Sequence, residues 1–406
     1  MKRIVINEQL ILSIALSSLV SYFPIVNCIN SITNLFLPEG FIYDTFLMYL
    51  ILLFVFLYSL FLITKKIKID TLILLLFIFL SYLFTYLFYE DNRKYMFTNV
   101  FDLLNNPIYI LFVFGYLGYV FVRQINNFPL FIKVFKYFSY AVINASIITF
   151  FIGVLKDSQP QYMVFSYNML AQTCFMLFLY LKERKAIFLF TGIMGTLLIF
   201  FAGARGPIVI LILSSLLYYF FRRSNVFNKL LFLVSIVFLL AFGYIFKETL
   251  LKILNVISVN LYFDSRTIKL LLSGEFLDLS GRDILLDNIY KNLNIFGHGL
   301  YGDRVINGVY SHNLLVEILF EYGLLFGILL FIVILSIVSK ALLSKNDDIQ
   351  LLAFVFLTTG FFKLFLSGSY LNQEPSFFIL LAFGITTLQK SVHIRRINLY
   401  ESSMAV

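Results

Sequence analysis

The clearest pattern along the chain is a series of apolar runs of about 17–25 residues, separated by short polar junctions. A helix of that length crosses a hydrocarbon core of ~30 Å, because each residue adds about 1.5 Å. The pattern therefore predicts an all-α, polytopic membrane protein of about twelve transmembrane helices. We expect these helices at about residues 4–23, 44–63, 71–89, 107–122, 136–155, 163–181, 186–202, 206–221, 229–246, 311–339, 349–366 and 375–390.

Lys and Arg are concentrated in every second junction between these runs. Cytoplasmic loops of membrane proteins carry the excess of basic residues, so this alternation predicts the topology. Both termini are then cytoplasmic, and the long hydrophilic interval from Lys247 to Tyr310 lies on the outer face. The mixed-charge loop with Arg93 and Lys94 is the main exception. The basic junctions are Lys2/Arg3, Lys65/Lys66/Lys68, Arg123/Lys133, Lys182/Arg184/Lys185, Arg222/Arg223/Lys229, Lys340/Lys345 and Lys390/Arg395/Arg396.

Composition narrows the class of function. The 406 residues are 61% hydrophobic and only 13% charged, which excludes an ordinary soluble enzyme. We attribute the net charge of +9 to the cytoplasmic loops and not to a nucleic-acid partner. Cys28 and Cys174 fall in or beside separate runs, and no His/Asp/Glu cluster on the outer face has metal-ligand spacing, so no metal site is expected. No nucleotide-binding loop is present, so an enzyme acting outside needs a substrate that is already activated and carried by a lipid.

The interval 247–310 contains a predicted amphipathic helix that begins near Arg282. Ser280 is a candidate N-cap, and Asp283 completes a pattern like a capping box. The interval holds seven basic and seven acidic residues, so any anion site must be built locally by chosen arginines. Arg282 in the first turn is such a residue, although it is equally well explained as a solvated side chain. The apolar face of the helix, which we expect over the membrane domain, consists of Leu285, Leu286, Ile289 and Leu293.

The tenth predicted span begins with polar residues that could carry chemistry. Ser311 is its candidate N-cap, and His312 titrates in a range suited to proton transfer. Asn313, Glu317 and Glu321 recur every four residues and predict one polar stripe that faces an internal cavity. A salt bridge to another span, or a purely structural histidine, explains the same residues.

Two further outer-face positions are candidates for binding. Arg205 opens the eighth span between Gly203 and Gly206, which allow a ligand to approach closely. Asn168 and Gln172 in the sixth span have side chains that can bond a sugar, but a bond to a neighbouring helix is the simpler interpretation.

Three stretches resemble the polysaccharide polymerase and O-antigen ligase family of bacterial envelopes. They are Ala202-Gly203-Ala204-Arg205-Gly206, Gly281-Arg282 with Gly297-His298-Gly299, and Tyr310-Ser311-His312-Asn313 with Glu317 and Glu321-Tyr322-Gly323. Ala204 replaces the family's usual Ser, and the Trp and Pro common in the second motif are missing. The resemblance implies a fold like the GT-C glycosyltransferases, with Arg205 and Arg282 on the diphosphate of an undecaprenyl-linked donor. It also implies that His312 is the base or proton shuttle on the acceptor hydroxyl, without metal or cofactor.

The predicted function is polymerisation of lipid-linked oligosaccharide repeat units into a surface polysaccharide, by a single transmembrane domain in the bacterial cytoplasmic (inner) membrane. The catalytic residues are predicted to be His312, Arg282 and Arg205. Both arginines, Asn313, Glu317, Glu321 and Asn168 are predicted to bind substrate. A ligase that passes glycan to another acceptor, or a flippase for lipid-linked oligosaccharide, remains an alternative. The expected partners are the lipid-linked donor and acceptor, with a chain-length regulator and a flippase as candidate protein partners, and no nucleic acid.

Overall fold

The computed structural model describes most of the apolar runs as helices. It covers residues 7–36, 68–97, 107–155, 162–222, 266–274, 281–371 and 375–404, together with scattered positions between 227 and 256. Every element in these ranges is helical, as the apolar pattern predicts. The predicted spans at 44–63 and 229–246 lie outside the residues that the structure describes, apart from a few isolated positions in the second.

The helices are labelled α1 to α17 in chain order. Their bounds are α1 Glu8–Phe36, α2 Ile69–Phe88, α3 Arg93–Met96, α4 Pro107–Ile110, α5 Leu117–Gln124, α6 Phe128–Leu155, α7 Tyr162–Glu183, α8 Ala186–Ala202, α9 Arg205–Phe221, α10 Arg266–Leu272, α11 Arg282–Lys291, α12 Gly302–Asn307, α13 Leu314–Tyr322, α14 Leu324–Leu342, α15 Asp347–Leu357, α16 Lys363–Leu366 and α17 Pro375–Met404. A 3₁₀ turn at Glu90–Asn92 precedes α3, and π-helical turns at Leu111–Tyr116 and Thr358–Phe362 join α4 to α5 and α15 to α16.

Within the described ranges, six helical segments are long and apolar enough to cross a membrane. They are Glu8–Thr33, Ile69–Phe88, Phe128–Gly153, Met163–Glu183, Leu324–Leu342 and Asp347–Leu366. Three shorter apolar helices lie at Ala186–Ala202, Arg205–Phe221 and Ser376–Lys390. The chain is therefore a helical membrane protein, whereas the count of twelve spans and the GT-C-like fold stay predictions.

The chain divides into two compact units. Unit 1 comprises residues 1–20, 47–135 and 279–406, and unit 2 comprises residues 21–46 and 136–278. In unit 2, α7 meets α9 where the ring of Phe178 stacks on Tyr218, with centroids 4.5 Å apart. Unit 1 contains the segment from Arg282 to Asn313, which holds most of the candidate chemistry. The single transmembrane domain predicted from the sequence stays a prediction.

The tenth predicted span is not one continuous helix. The chain is helical over α13 and α14, but Gly323 between them has φ 81° and ψ 164°, which is not helical. This region of backbone space is accessible essentially only to glycine, because a side chain would clash with its own backbone. Since α13 has only nine residues, roughly 14 Å at the rise of an α-helix, it does not cross a membrane alone. The apolar pattern of the sequence does not reveal this break, because leucine residues occur on both sides of it.

One end of α2 in unit 1 is fixed by a buried arginine. Arg123, which is 2% exposed, donates from Nε and Nη2 to the two carboxylate oxygens of Asp70, at 2.6 and 3.0 Å. Its Nη1 donates to Thr386 at 2.7 Å, and its Nη2 also donates to Gln389. These bonds tie together α2, α5 and α17. They bring together the ends of three spans whose basic residues were predicted to share one side of the membrane, while the assignment of that side as cytoplasmic stays a prediction.

The predicted amphipathic helix is confirmed as α11 and packs on α13. Ile289 is fully buried and contacts Val316 and Phe320, while Leu286 and Leu293 pack against the same cluster. This helix begins without a side-chain cap, since Gly281 with φ 79° occupies the N-cap position. The expected cap, Ser280, lies outside the described residues. The packing holds α11 against the buried face of α13.

We predict that Gly323→Ala destabilises the protein strongly. A Cβ at this position would overlap the carbonyl oxygen of Ile295 and lie 2.6 Å from the amide nitrogen of Gly297. This backbone conformation alone costs a residue with a side chain about 1–3 kcal/mol, and overpacking adds roughly 1–3 kcal/mol. The measurement is the midpoint of thermal unfolding of the purified protein in detergent.

Gly308→Ala is the matched control for this prediction. Gly308 also has a positive φ of 73°, but a Cβ there would meet no atom within 4 Å. We expect its unfolding midpoint to fall by much less than that of Gly323→Ala. Equal losses in the two variants would show that the contact between Gly323 and Ile295 does not matter for stability.

Candidate active site

The centre of the candidate site forms where the segment Gly297-His298-Gly299 meets the C-terminal end of α13. The amide of His298 donates to the carbonyl oxygen of Phe320 at 2.9 Å. The amide of Gly299 donates to the backbone carbonyl oxygen of Glu321 at 3.0 Å. The last carbonyl groups of a helix have no partner within the helix, so donors from outside satisfy them. The segment therefore caps α13, and two motifs that are well separated in the sequence are held against each other.

The ring of His298 takes part in the same junction. It stacks on Phe320, with centroids 4.2 Å apart and planes 12° from parallel. Its Nε2 contacts the carbonyl oxygen of Asn292 at 2.7 Å and the side-chain amide of Asn294 at 3.1 Å. These contacts make His298 a structural residue that positions the segment.

The turn after α2 holds this segment from its other side. The side-chain amide of the buried Asn92 donates to the carbonyl oxygens of His298 and Leu300, at 2.7 and 2.8 Å. The hydroxyl of Tyr89 donates to the carbonyl oxygen of Gly297 at 3.1 Å. The end of α2 and the end of α13 therefore enclose the segment between them, and its backbone has little freedom to shift.

Glu317 and Glu321 face inward from α13, as the polar stripe predicts. Their side chains are buried, at 1% and 3% exposure. The hydroxyl of Ser369 donates to Oε1 of Glu317, and the hydroxyl of Tyr370 donates to Oε2 of Glu321. The amide of Tyr301 donates to Oε1 of Glu321 at 2.8 Å. Oε2 of Glu317 is buried and has no hydrogen-bond partner among the described residues.

Asp303 and Arg304 lie in the same buried region. Asp303 is fully buried, and its Oδ2 accepts from the amide of Ser311 at 2.7 Å. The guanidinium of Arg304 lies over the ring of Tyr301, 4.6 Å from its centroid. In the described part of the chain, Oδ1 of Asp303 and the Nε and Nη2 atoms of Arg304 are buried without a hydrogen-bond partner. Because such atoms are costly to bury, they mark a place where a ligand or water can bind.

The buried region contains more acid than base. Three carboxyl groups, those of Asp303, Glu317 and Glu321, share it with the guanidinium of Arg304. Burial raises the pKa of the Asp303 carboxyl above its ordinary value, and the charge of Arg304 and the amide of Ser311 oppose that effect. Across the ranges that the structure describes, no group of three or more His, Cys, Asp or Glu side chains is placed to hold a metal ion. We call these four residues the buried charge cluster.

His312 follows Ser311, whose amide is bonded to Asp303, and it has an unusual backbone conformation. Its φ is 57°, in the left-handed region that is uncommon for a residue with a side chain. Its ring lies against Tyr310, with centroids 4.2 Å apart, and its Nδ1 is buried without a hydrogen-bond partner among the residues described. Burial and then the nearby positive charge of Arg282 lower the pKa of His312 to about 4. The imidazole is therefore neutral at pH 7.

Arg282 and His312 belong to unit 1, and two other predicted residues belong to unit 2. Arg282 is the first residue of α11 and is close enough for its charge to act on His312. Arg205 is the first residue of α9, and Asn168 lies within α7, both in unit 2. The roles of Arg205 and Asn168 in binding substrate stay predictions. For Gln172, the simpler interpretation is supported, since its amide contacts Ser21 of α1 at 3.4 Å.

The start of α13 differs from the expected one. The N-cap is Asn313, whose Oδ1 accepts from the amides of Leu315 and Val316 at 3.1 and 3.3 Å. Ser311 was expected to cap the helix, but its amide is bonded to Asp303 and it lies before the cap. The extended backbone of Asn313 provides the geometry that an N-cap needs. The predicted role of Asn313 in binding substrate is therefore limited to its side-chain nitrogen.

Sequence reasoning missed Asp303, Arg304, Ser369 and Tyr370 as members of the candidate site. The charged pair was counted with the balanced charges of a hydrophilic loop, although both side chains are buried. One sequence signal could have separated them from the rest. The pair lies in a short stretch with glycines on both sides, at positions 299, 302 and 308, which is typical of a chain that must fold tightly.

An apolar groove of about 510 Å³ leads to this region from the face of α2. Its walls include Phe77, Leu80, Phe84 and Phe88 of α2, together with Phe296 and Phe326. Glu321 and Tyr322 also line it. The α2 side chains that line it are largely exposed in the chain, including Leu80, Phe84 and Phe88. The groove therefore offers an apolar molecule a path from a membrane-facing helix to the buried charge cluster.

We predict that Asp303→Ala destabilises the protein while Asp303→Asn does not. Alanine leaves the buried amide of Ser311 without an acceptor, which costs about 1–3 kcal/mol. Asparagine keeps an acceptor oxygen and removes one of the crowded like charges. Thermal unfolding of the purified variants in detergent measures the difference. An equal loss of stability in both variants would show that the bond from Ser311 to Asp303 does not stabilise the fold.

Comparison with models of known protein families, with curated proteins and with solved structures finds no match for this chain.

Proposed function

We propose that the protein is a metal-independent glycosyltransferase that joins lipid-diphosphate-linked oligosaccharide units into a surface polysaccharide. The observation that carries the proposal is the protonation and hydrogen bonding of the His312 imidazole. Its imidazole is neutral at pH 7, and its buried Nδ1 makes no hydrogen bond to any residue that the structure describes. A neutral imidazole with a free nitrogen can accept a proton, and with a pKa of about 4 it becomes an effective base only when a bound anion raises that pKa.

The proposed reaction requires a proton acceptor and a site for the leaving group. The hydroxyl oxygen of the acceptor sugar attacks the anomeric carbon of the donor, and the bond from that carbon to the diphosphate oxygen breaks. The hydroxyl proton passes to His312, and the lipid diphosphate leaves with the bonding electron pair. The reaction is a substitution at the anomeric carbon and requires no oxidant, reductant or nucleotide.

Arg282 supports this assignment because its charge acts on His312. A planar guanidinium matches the oxygens of a diphosphate and stabilises the charge that develops on it. The same charge that lowers the pKa of His312 would therefore be neutralised when the diphosphate binds, which makes the imidazole a stronger base in the complex. The role of Arg205 on the same diphosphate, which the resemblance implies, stays a prediction.

The apolar groove supports a lipid-linked substrate. Its walls are mainly phenylalanine and leucine side chains, and Glu321 and Tyr322 add polar groups to its lining. Binding sites for such ligands combine apolar walls with a few polar groups that fix the orientation. In the proposal the isoprenoid chain occupies the groove, and the sugar contacts the carboxyl groups of Glu317 and Glu321.

Two other functions use parts of the same structure. A ligase would perform the same chemistry with a different acceptor. A flippase is favoured by one observation, the buried charge cluster, because buried carboxyl groups in membrane proteins often carry protons along a transport path. The three functions differ in their products, so a single assay distinguishes them.

We predict that His312→Ala and Arg282→Ala abolish polymer formation by purified protein supplied with lipid-linked repeat units. Loss of the general base lowers the rate by roughly 10²–10⁴-fold, and loss of the arginine by roughly 10²–10³-fold. The readout is the ladder of polymers separated by gel electrophoresis. Lys291→Ala is the matched control, because Lys291 is an exposed residue at the other end of α11 that pairs only with Asp287 in the described structure.

Normal chain lengths in the His312 and Arg282 variants would contradict the site assignment. Transfer of the glycan to a different acceptor, with no ladder, would indicate a ligase. Movement of lipid-linked oligosaccharide across a vesicle membrane, with no new glycosidic bond, would indicate a flippase.

We further predict the dependence of activity on pH. The base must be neutral, so activity is lost only when the pH falls towards the lowered pKa of His312, about 4. We expect kcat/KM, which reports the free enzyme, to be flat on the acid side down to about pH 5. In Arg282→Gln one cause of the lowered pKa is removed, so the residual activity should be lost at a higher pH than in the native protein.

Lys291→Gln serves as the control for this profile, because it removes a positive charge from the same helix at a greater distance from His312. An acid limb that stays at the same pH in Arg282→Gln would show that another group controls the profile.

A further inference from the structure

Besides the apolar groove, a polar cavity lies at the opposite end of α2 from the candidate active site. Its volume is about 380 Å³, within the range of sites that bind small molecules. Its lining includes Lys68, Arg123, Asn126, Thr386, Gln389 and Lys390. All of these residues belong to unit 1, and three of them are cationic.

The positive charge in this cavity is only partly balanced. Asp70 forms a two-pronged ion pair with Arg123, so its charge is already matched by that guanidinium. Burial and then the charge of Arg123 lower the pKa of Lys68, the charge of Lys390 acts in the same direction, and Asp70 opposes them. The two ammonium groups therefore lie in a region of net positive charge that an anion would neutralise.

The donors of the cavity are arranged for a ligand with several oxygens. Nζ of Lys68 donates one hydrogen bond, to the carbonyl oxygen of Arg123, and an ammonium group has three donors. The ammonium of Lys390 lies 5.2 Å from the centroid of the Phe128 ring, at the exposed edge of the cavity. The guanidinium of Arg123 is fixed by its bonds to α2 and α17, which gives the cavity a rigid wall.

The position of the cavity along the helices indicates the depth at which it lies. Lys68 directly precedes the apolar span of α2, and Lys390 ends the apolar part of α17 at Ser376–Lys390. Both residues are therefore at the boundary between the hydrocarbon core and water, where lipid headgroups lie. Beyond Lys68 the exposed side chains of α2 are apolar, beginning with Ile69, Leu72 and Ile73.

We propose that this cavity binds the phosphate group of an anionic phospholipid, with the acyl chains along the exposed apolar face of α2. Lys68 and Lys390 donate to the phosphate oxygens, and Asn126 and Gln389 contact the polar headgroup. A free phosphate ion shares this chemistry, but the apolar side chains of α2 next to the cavity favour a ligand that carries acyl chains. Basic pockets between transmembrane helices bind anionic headgroups in this way.

The test compares lipid binding by the full-length protein and by Lys68→Gln/Lys390→Gln. Native mass spectrometry in detergent measures the affinity for phosphatidylglycerol, with phosphatidylcholine as the zwitterionic comparison and inorganic phosphate as the soluble one. Each lysine contributes about a fivefold gain in affinity, so we expect the double variant to bind phosphatidylglycerol roughly 30-fold more weakly. Thermal unfolding without lipid verifies that the variants are folded.

Lys340→Gln/Lys345→Gln is the matched control. These two lysines are exposed at and after the end of α14, outside the cavity lining, and their replacement removes the same charge. We expect this control to keep the affinity of the native protein for phosphatidylglycerol. An equal loss in both double variants, equal binding of phosphatidylcholine, or equal binding of inorganic phosphate would each overturn the proposal.

Discussion

The capping of α13 by the segment Gly297-His298-Gly299 is the interaction on which the rest of the candidate site depends. Its two backbone hydrogen bonds fix the segment to the last turn of the helix, and Gly323 allows the two backbones to approach closely. The amide of Tyr301 then reaches the carboxylate of Glu321. Together with the bond from Asn92 to Leu300, this junction holds the residues that follow Gly299 over the buried face of α13.

The junction has an electrostatic consequence. It draws Asp303 and Arg304, which belong to a hydrophilic interval, into contact with a helix that already carries two buried acids. Charges in such a place are stable only with matching donors, and the hydroxyls of Ser369 and Tyr370 provide some of them. The atoms that remain without partners among the described residues are then the natural contact points for a substrate.

The sequence predicts the helices of this protein well because apolar periodicity and length are local properties. The amphipathic helix at Ile289 and the burial of Glu317 follow from the same local pattern. The break at Gly323 and the burial of Arg304 do not, because each depends on a contact with a segment far away in the chain. The resemblance implies a role for Arg282 on a diphosphate and for His312 as a base, and both roles stay predictions, although the charge of Arg282 acts on His312.

The bonds of Arg123 have a consequence for the order in which the protein is made. Asp70 and Arg123 are synthesised early, but their partners Thr386 and Gln389 come more than 250 positions later. Unit 1 is interrupted by residues 136–278, which take roughly 10–30 s to synthesise at the usual rate of translation. During this interval the early helices must remain in the bilayer with an incomplete set of contacts. The ion pair between Asp70 and Arg123 neutralises both charges at this stage. The incomplete unit therefore exposes neither an unpaired carboxylate nor an unpaired guanidinium of this pair to lipid before α17 is inserted.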